Sequence, residues 1–207
     1  MTSCSPCLDR EEYILVCGTK ARRKRGMVLK KKINVFDYAG DIMKALDKGV
    51  LITTKADGKV DSMTLGWGTL GIDWSLPVFT AYIRKSRFTK EQLEKNPEFT
   101  VNVPYGAFDP KILGVCGSKS GRDMDKAEEL GLTLVDPEVI SVPAVKELPL
   151  TLECRVVCVE KQDTDTMPEE ILKEHYPSEK PTPFGGSLEN YHYAFYGQIV
   201  SAYMIED

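Results

Sequence analysis

Apolar and polar positions alternate in short runs along this chain, and most runs have the two-residue period of β-strands. Residues 49–55 (GVLITTK) are rich in β-branched side chains, residues 56–58 carry an Asp-Gly turn signal, and residues 60–65 resume strand character. This order predicts a β-hairpin. Residues 37–46 instead place apolar side chains at helical spacing, which predicts a short helix that ends at Gly49.

The rest of the chain continues as strands with helical insertions. Four further runs are rich in β-branched or aromatic residues and predict strands, at 78–83, 99–103, 150–160 and 191–203. Stretches of helical propensity lie between them, at 87–95, 110–115, 124–130 and 169–175. Several antiparallel strands with peripheral helices predict a mostly β domain that closes into a barrel.

Charge divides the chain into two parts. Residues 1–33 carry nine Lys or Arg against three Asp or Glu, although the net charge of the chain is −4. We therefore predict a basic, Cys-containing tail at 1–33 and one domain at 34–207, a length that can bury a single sizeable core. No aromatic residue interleaves the basic clusters at 22–25 and 30–32, which favours a solvated tail over nucleic-acid binding.

Hydropathy and cysteine spacing predict a cytoplasmic protein without a metal or a membrane partner. No apolar run approaches the roughly 18 residues that span a bilayer, and the N-terminus lacks the order of a secretory signal. The six cysteines are then expected as thiols. Cys4 and Cys7 have only Cys17 nearby, too few ligands for a structural metal site. Cys154 and Cys158 would share one strand face about 13 Å apart, too far for a disulfide.

Seven segments, in order, resemble the FMN-binding split-barrel flavin reductases, especially the flavoredoxin-like branch. The segments span about residues 32–204 and read INVFDYAG, GVLITTK, SMTLGWGTLGIDW, RKSRFT, EFTVNVP, CGSKSGRDMDK and YHYAFYGQIVSAY. The resemblance implies a split β-barrel with peripheral helices that binds FMN. It also implies a homodimer with FMN near the subunit interface.

Residues 62–68 (SMTLGWG) begin as a strand and end with two glycines, so their backbone can approach a flat ring closely. Ordinary hairpin packing is the alternative. The resemblance implies that this segment contacts the isoalloxazine through main-chain groups and the Thr hydroxyl, at Met63, Thr64, Leu65 and Gly66. Asp61 replaces an Asn of many relatives, and a carboxylate beside the ring would disfavour its electron-rich reduced form.

Residues 84–89 (RKSRFT) place cations and hydroxyls where a strand ends and a helix begins, and free backbone N–H groups there attract anions. A helix cap with solvated charges is the alternative. The resemblance implies that FMN phosphate contacts Ser86, Arg87 and Thr89, with Arg84 beside them.

Residues 120–126 (SGRDMDK) form a Gly-containing loop that enters a helix but lacks the spacing of a nucleoside-triphosphate loop. The resemblance implies that this loop closes over the phosphate and ribityl region through Ser120, Gly121 and Lys126. Asp123 and Asp125 have the alternative of capping or complementing the following helix.

Two histidines occur, and they lie in different surroundings. If residues 191–203 form one strand, His192 shares a face with Tyr196 and lies opposite Tyr193, Phe195 and Ile199. His192 is therefore a candidate catalytic residue that contacts the cofactor or nicotinamide, with a satisfied structural role as the alternative. His175 lies in a polar stretch and is expected to be solvated.

These observations predict an FMN-dependent oxidoreductase that passes electrons from NADH or NADPH through FMN to a flavin, metal complex or protein partner. One alternative is an FMN-bound electron carrier that needs a partner reductase. Another is an enzyme like pyridoxamine-phosphate oxidase, against which the segment CGSKSGRDMDK argues.

Overall fold

The computed structural model describes residues 28–178, 182 and 185–206, together with the backbone of Tyr13–Ile14. The strands in these parts of the chain are β1 Tyr13–Ile14, β2 Leu29–Lys32, β3 Val50–Ala56, β4 Lys59–Leu65, β5 Gly68–Asp73, β6 Leu76–Arg84, β7 Glu98–Val103, β8 Leu134–Val135, β9 Ala144–Val145, β10 Leu150–Lys161 and β11 His192–Glu206. The α-helices are α1 Ala39–Lys48, α2 Phe88–Lys95, α3 Lys111–Ser118, α4 Lys126–Glu129 and α5 Glu169–His175. Short 3-10 helices occupy Val35–Tyr38 and Thr164–Thr166.

Nine strands form one antiparallel sheet in the order β1-β2-β11-β10-β7-β3-β4, while β6 pairs with β11 and β5 pairs with β6. The long strand β11 divides one edge between two partners. Its start pairs with β6 from His192 to Gln198, and its end pairs with β2 from Tyr203 to Glu206. No pairing joins β4 to β5 among the described residues, so the barrel is split there. The predicted fold, a mostly β split barrel with peripheral helices, is confirmed.

The predicted helix and hairpin at the start of the domain are confirmed. Helix α1 buries Ile42 and Leu46 and ends at Gly49, whose φ of 111° suits a residue without a Cβ. The turn between β3 and β4 places Asp57 at φ 52° and Gly58 at φ 78°. Two successive positive φ angles match the twist of the flanking strands, which is why an Asp-Gly pair joins them.

The barrel interior holds the main core. Its fully buried side chains come from facing strands and include Ile52, Phe79, Phe99, Val101 and Leu152. A second apolar cluster lies on the other face of β3, beneath α3, and consists of Leu51, Ile112, Cys116, Val145 and Leu148. Strand β3 is therefore buried on both faces, which gives the adjoining strand β4 a rigid support.

Strand β2 lies within the segment that the charge pattern assigned to the basic tail. It pairs with β11, and the Lys30 side chain on it is 2% exposed. The Lys30 ammonium donates to Asp136 O and lies 4.4 Å from the centre of the Tyr203 ring. The sheet thus includes residues before position 34. The carbonyl and the aromatic ring explain how a lysine is accommodated in a buried position.

The arrangement of Cys154 and Cys158 differs from the prediction. Cys154 pairs with Ile199 in the core, whereas Cys158 pairs with Tyr196 on the opposite face. The prediction that they share a face is wrong because a bulge between Val156 and Cys158 adds one residue to the strand. Both are free thiols, as is Cys116. The cysteines of the basic tail lie outside the described residues.

Across the described part of the chain, no helix has the length and apolar character that crossing a membrane requires.

Candidate cofactor site

Strand β4 presents an edge of its backbone on the side away from β3. Alternate residues of such an edge direct their N–H and C=O groups outward. The Lys126 ammonium donates to Ser62 O at 2.6 Å from this side, which identifies Ser62 and Thr64 as the outward-directed residues. The main chain at Thr64 therefore continues the edge beyond the carbonyl that Lys126 uses, toward Gly66.

A buried ion pair lies beside this edge. Lys126 Nζ is 3.1 Å from Asp61 Oδ1. Burial raises the pKa of Asp61 above its ordinary value, and the charge of Lys126 and its hydrogen bond oppose the rise. Gly121 packs against the same carboxylate, because a Cβ built on it would lie 2.3 Å from Asp61 Cγ. The structure thus gathers three predicted site residues, and it gives the Lys126 ammonium a carboxylate partner that the sequence did not predict.

The side chains of the predicted ring-facing segment mostly serve packing. The Thr64 hydroxyl, expected to face the ring, donates instead to Leu113 O at 2.6 Å. Met63 is buried and its sulfur accepts a hydrogen bond from the Thr89 hydroxyl at 3.5 Å, while Leu65 lies in the core. A planar ligand at this strand would therefore meet main-chain groups more than side chains.

An open cleft of about 520 Å³ lies where β4 ends. The residues that line it come from α1, from the segment between β4 and β5 with the first residue of β5, from β6 and from the position after β10: Met43, Leu46, Asp47, Gly66, Trp67, Gly68, Tyr82 and Gln162. Gly68 is required by close strand approach, since a Cβ there would lie 2.8 Å from Thr80 O. Gly66 and Gly68 therefore add no side chains to this wall of the cleft.

Arg87, at the start of α2, is a cation without a carboxylate partner among the described residues. It is the N-cap of that helix, and its side chain makes no capping hydrogen bond to the free backbone N–H groups. Burial alone lowers the pKa of its guanidinium, and within the described residues no carboxylate or ring contacts that group. Ser86 is exposed beside it, whereas Thr89 is buried. The side chains of Arg87 and Ser86 and the uncapped helix start together suit an anion.

Arg84 lies behind this helix start. Its Nη1 donates to Asn190 O at 3.2 Å, and the guanidinium lies 5.6 Å from the Trp67 ring and 5.4 Å from the Tyr176 ring. Among the described residues, Arg84 is held by cation–π packing and this hydrogen bond, and no carboxylate pairs with it. Asn190 also accepts a hydrogen bond from Ser86 N at 2.9 Å, so the loop before β11 is tied to the helix start.

His192 is buried, on the strand face that the sequence predicted. It pairs with Arg84 in the sheet, its ring centre is 4.6 Å from that of Trp67, and its Nδ1 shares a hydrogen bond with the Tyr176 hydroxyl. Burial, and then the charges of Arg84, Arg87 and His175, lower the pKa of His192 to about 3. The imidazole is therefore neutral near pH 7. His175, expected to be solvated, packs edge-on against Trp67 at 5.0 Å.

Arg122, which the sequence did not single out, connects the two predicted phosphate segments. Its Nη2 donates to Ser86 O at 3.2 Å and bonds to Glu91 Oε1, and its guanidinium lies 5.5 Å from the Phe88 ring. Ser120 Oγ accepts from Arg122 N at 3.2 Å. The sequence signal for this role is the presence of an arginine inside SGRDMDK, because a guanidinium can donate several hydrogen bonds at once. Trp67, Tyr176 and Asn190 carried no signal beyond lying within or near the resembling segments.

Residues 43–207 match the family model described as flavin reductase like domain. Two curated relatives are an uncharacterized protein of Archaeoglobus fulgidus, 36% identical over 99 residues, and the uncharacterized protein YddH of Escherichia coli, 31% identical over 111 residues. These matches cover 48% and 52% of this chain and 55% and 58% of those proteins. The chain therefore spans little more than half the length of these curated relatives.

Solved structures share the architecture. Flavoredoxin from Methanosarcina acetivorans superposes with a TM-score of 0.55 at 28% identity, covering 75% of this chain and 67% of that one. Flavoredoxin of Desulfovibrio vulgaris gives 0.55 at 20% identity, covering 77% and 69%. An FMN-binding domain of a flavin reductases-like enzyme from Shewanella baltica gives 0.56 at 18% identity, covering 84% and 76%. The last two likenesses concern the fold alone.

Proposed function

This chain belongs to the family defined by the flavin reductase like domain, and on that premise we propose that it binds FMN and acts as an FMN-dependent NAD(P)H oxidoreductase. Electrons would pass from NADH or NADPH to a flavin, a metal complex or a redox partner protein. The observation that carries the proposal is the half-buried Arg87 guanidinium, which lacks a counter-ion among the described residues and stands at an uncapped helix start.

The described residues suit FMN at its anionic end. A phosphate would supply the negative charge that Arg87 lacks, and Ser86 and the free N–H groups of α2 would donate to it. Arg84, behind the helix start, would add positive potential at the phosphate. In the described part of the chain, no carboxylate pairs with Arg84 and so competes with the phosphate for it.

A second set of residues suits the ring end of FMN. The edge of β4 at Thr64 and the cleft wall at Gly66, which carries no side chain, would face the isoalloxazine. Main-chain donors and acceptors would lie opposite its polar atoms. The buried Asp61 and Lys126 compensate each other beside that edge. FMN, when bound, would accept a hydride and pass its two electrons on to the acceptor. The protein binds, orients and shields it.

His192 would act by orientation in this proposal. Its neutral ring packs against Trp67, whose indole lines the cleft, and the Tyr176 hydroxyl holds it there. His192 would thus fix the Trp67 plane against which a nicotinamide or acceptor packs.

We also expect a homodimer in the cytoplasm, with FMN near the subunit interface. A partly exposed aromatic surface supports this assembly, since Trp74 and Tyr196 contact each other with ring centres 6.0 Å apart on the outer side of the sheet. Light scattering of the purified protein would measure twice the chain mass of 23.2 kDa if the expectation holds.

The proposal is tested by reconstituting the purified apoprotein with FMN and recording its absorption spectrum. Anaerobic stopped-flow mixing with NADH, and separately with NADPH, should then bleach the flavin bands. Slow bleaching by both donors, with fast bleaching once a partner reductase is added, would identify an electron carrier instead. Failure to bind FMN would reject the proposal.

A further inference from the structure

We propose that Arg122 is a positioning residue that holds the start of α2 in the geometry that phosphate binding requires. This inference rests on the proposed function, because it concerns the site that Arg87 would supply. The reason lies in where the Arg122 guanidinium makes its contacts and in how its own charge is compensated.

The Arg122 side chain contacts three successive parts of the helix start. It donates to the carbonyl of Ser86, lies over the ring of Phe88, which is the first residue of α2, and bonds to the carboxylate of Glu91 in the first turn. Ser86 and Phe88 flank Arg87 in the chain, and Glu91 lies one helical turn further on. A planar guanidinium makes such contacts at once with donors in a fixed fork, a geometry that a lysine ammonium lacks.

The charges of Arg122 and Arg87 differ in one respect. Glu91 compensates Arg122, and the hydrogen bond from Arg122 is the largest cause that lowers the pKa of Glu91. Arg87 has no such carboxylate among the described residues. Among the described residues, Arg87 is therefore available to an anion, whereas Arg122 is engaged with the groups around it.

The segment that carries Arg122 is fixed at its other end as well. Lys126 donates to Ser62 O on the edge of β4 and pairs with Asp61. Residues 122–126 thus bridge the strand proposed to face the ring and the helix start proposed to face the phosphate. Loss of the Arg122 contacts would release the helix-start end of the bridge while the buried pair keeps the strand end in place.

The first experiment titrates apoprotein variants with FMN and with riboflavin. We expect Arg122→Ala to weaken FMN binding roughly five- to tenfold and riboflavin binding by less than about twofold, because riboflavin lacks the phosphate. Arg122→Lys keeps the charge but not the planar fork, so its loss of FMN affinity should approach that of Arg122→Ala. Urea unfolding of each apo-variant reports general damage separately.

The second experiment separates positioning from direct phosphate contact. Glu91→Gln removes the negative charge that compensates Arg122, and Glu94→Gln makes the same charge change one turn along α2, where Glu94 pairs with Lys90. If Arg122 positions the helix start, Glu91→Gln weakens FMN binding relative to Glu94→Gln. If Arg122 binds phosphate itself, Glu91→Gln tightens it.

Undiminished FMN affinity in Arg122→Ala, equal losses for FMN and riboflavin, or tighter FMN binding in Glu91→Gln than in Glu94→Gln would each overturn the positioning role. Full recovery of FMN affinity in Arg122→Lys would overturn the need for a guanidinium fork and with it this inference. A wild-type protein without preference for FMN over riboflavin would overturn the proposed phosphate site, and the inference with it.

Discussion

Lys126 Nζ lies 3.1 Å from Asp61 Oδ1, and each of the two side chains is 2% exposed. The charges therefore compensate each other out of contact with water, beside the strand proposed to face the FMN ring. Removing one member of such a pair leaves the other charge unpaired in the interior. The loss in free energy of unfolding is then far larger than the contribution of a surface ion pair. Asp61 cannot be considered as an isolated negative charge near the ring.

Arg87→Ala should weaken FMN binding by roughly 10- to 150-fold, because one charge-assisted phosphate contact contributes about 1.5–3 kcal/mol. Riboflavin affinity should change far less. Titration of the folded apo-variant with both ligands measures the difference, and Lys85→Ala, an exposed neighbouring cation, is the control. Equal losses for both ligands, or no loss for either, would contradict the assignment of Arg87.

Asp61→Asn should raise the reduction potential of bound FMN, because it leaves the Lys126 ammonium uncompensated near a ring that becomes electron-rich. It should also lower the free energy of unfolding by about 3 kcal/mol or more. Spectroelectrochemistry measures the midpoint. The double variant with Lys126→Met removes both charges and should return the midpoint toward the wild-type value. An unchanged midpoint in Asp61→Asn that retains FMN would place the pair too far away to tune the ring.

Gly121→Ala should destabilise the protein by roughly 1–3 kcal/mol, because the added Cβ would overlap the buried Asp61 carboxylate. Gly114→Ala is the matched control, since Gly114 lies in α3 and an added Cβ would meet nothing within 4 Å among the described residues outside its own helix backbone and chain neighbours. That change should be neutral or stabilising by up to about 1 kcal/mol through helix propensity. Urea unfolding compares the two, and equal stabilities would show that the 118–126 segment can shift freely.

Acid should destabilise the fold partly through His192. The pKa of His192 is about 3 in the folded protein and 6.5 ordinarily, so the unfolded chain binds the extra proton between these values. The stability from keeping this ring neutral is fully present above pH 6.5 and is lost as the pH falls toward 3. His192→Gln should flatten that part of the stability profile in urea unfolding. A profile as steep as that of the wild type would assign the acid sensitivity to other groups.

Deletion of residues 1–26 should leave FMN affinity unchanged, because the resembling segments begin after them. Deletion of residues 1–33 should instead destabilise the fold, since it removes β2 and the buried Lys30 side chain. Thermal unfolding and FMN titration of both truncated proteins measure this difference. Loss of FMN binding from a folded protein that begins at Met27 would place part of the basic tail in the site.

Local pattern was sufficient for most of the fold. Apolar alternation and the Asp57-Gly58 turn predicted the first hairpin, and Gly49 predicted where α1 ends. Strand β5 was not predicted, because the turn after it places Trp74 and Ser75 at positive φ, where Gly or Asn is the usual signal. Strand β2 was missed because its sequence LKKK has the composition of a solvated tail.

The site was predictable in its segments but not in its contacts. The order of the motifs identified the neighbourhoods of Arg87, Gly121 and His192. The pairing of Asp61 with Lys126 joins residues 65 positions apart, and no local pattern gives that distance. Arg122 was missed for a related reason, since its role depends on Ser86 and Glu91 being brought to it by the fold.

The two-sided pairing of β11 has a consequence for how the protein is made. This 15-residue strand lies between β10 on one edge and both β6 and β2 on the other. Until residues 192–206 have left the ribosome, the sheet lacks the strand that joins its two halves. Arg84 on β6 then has no His192 to pair with across the sheet. Such long-range pairing folds slowly, so apolar strand edges stay open to other chains for longer during synthesis. The yield of folded protein in cells should therefore depend on chaperones more than its stability would suggest.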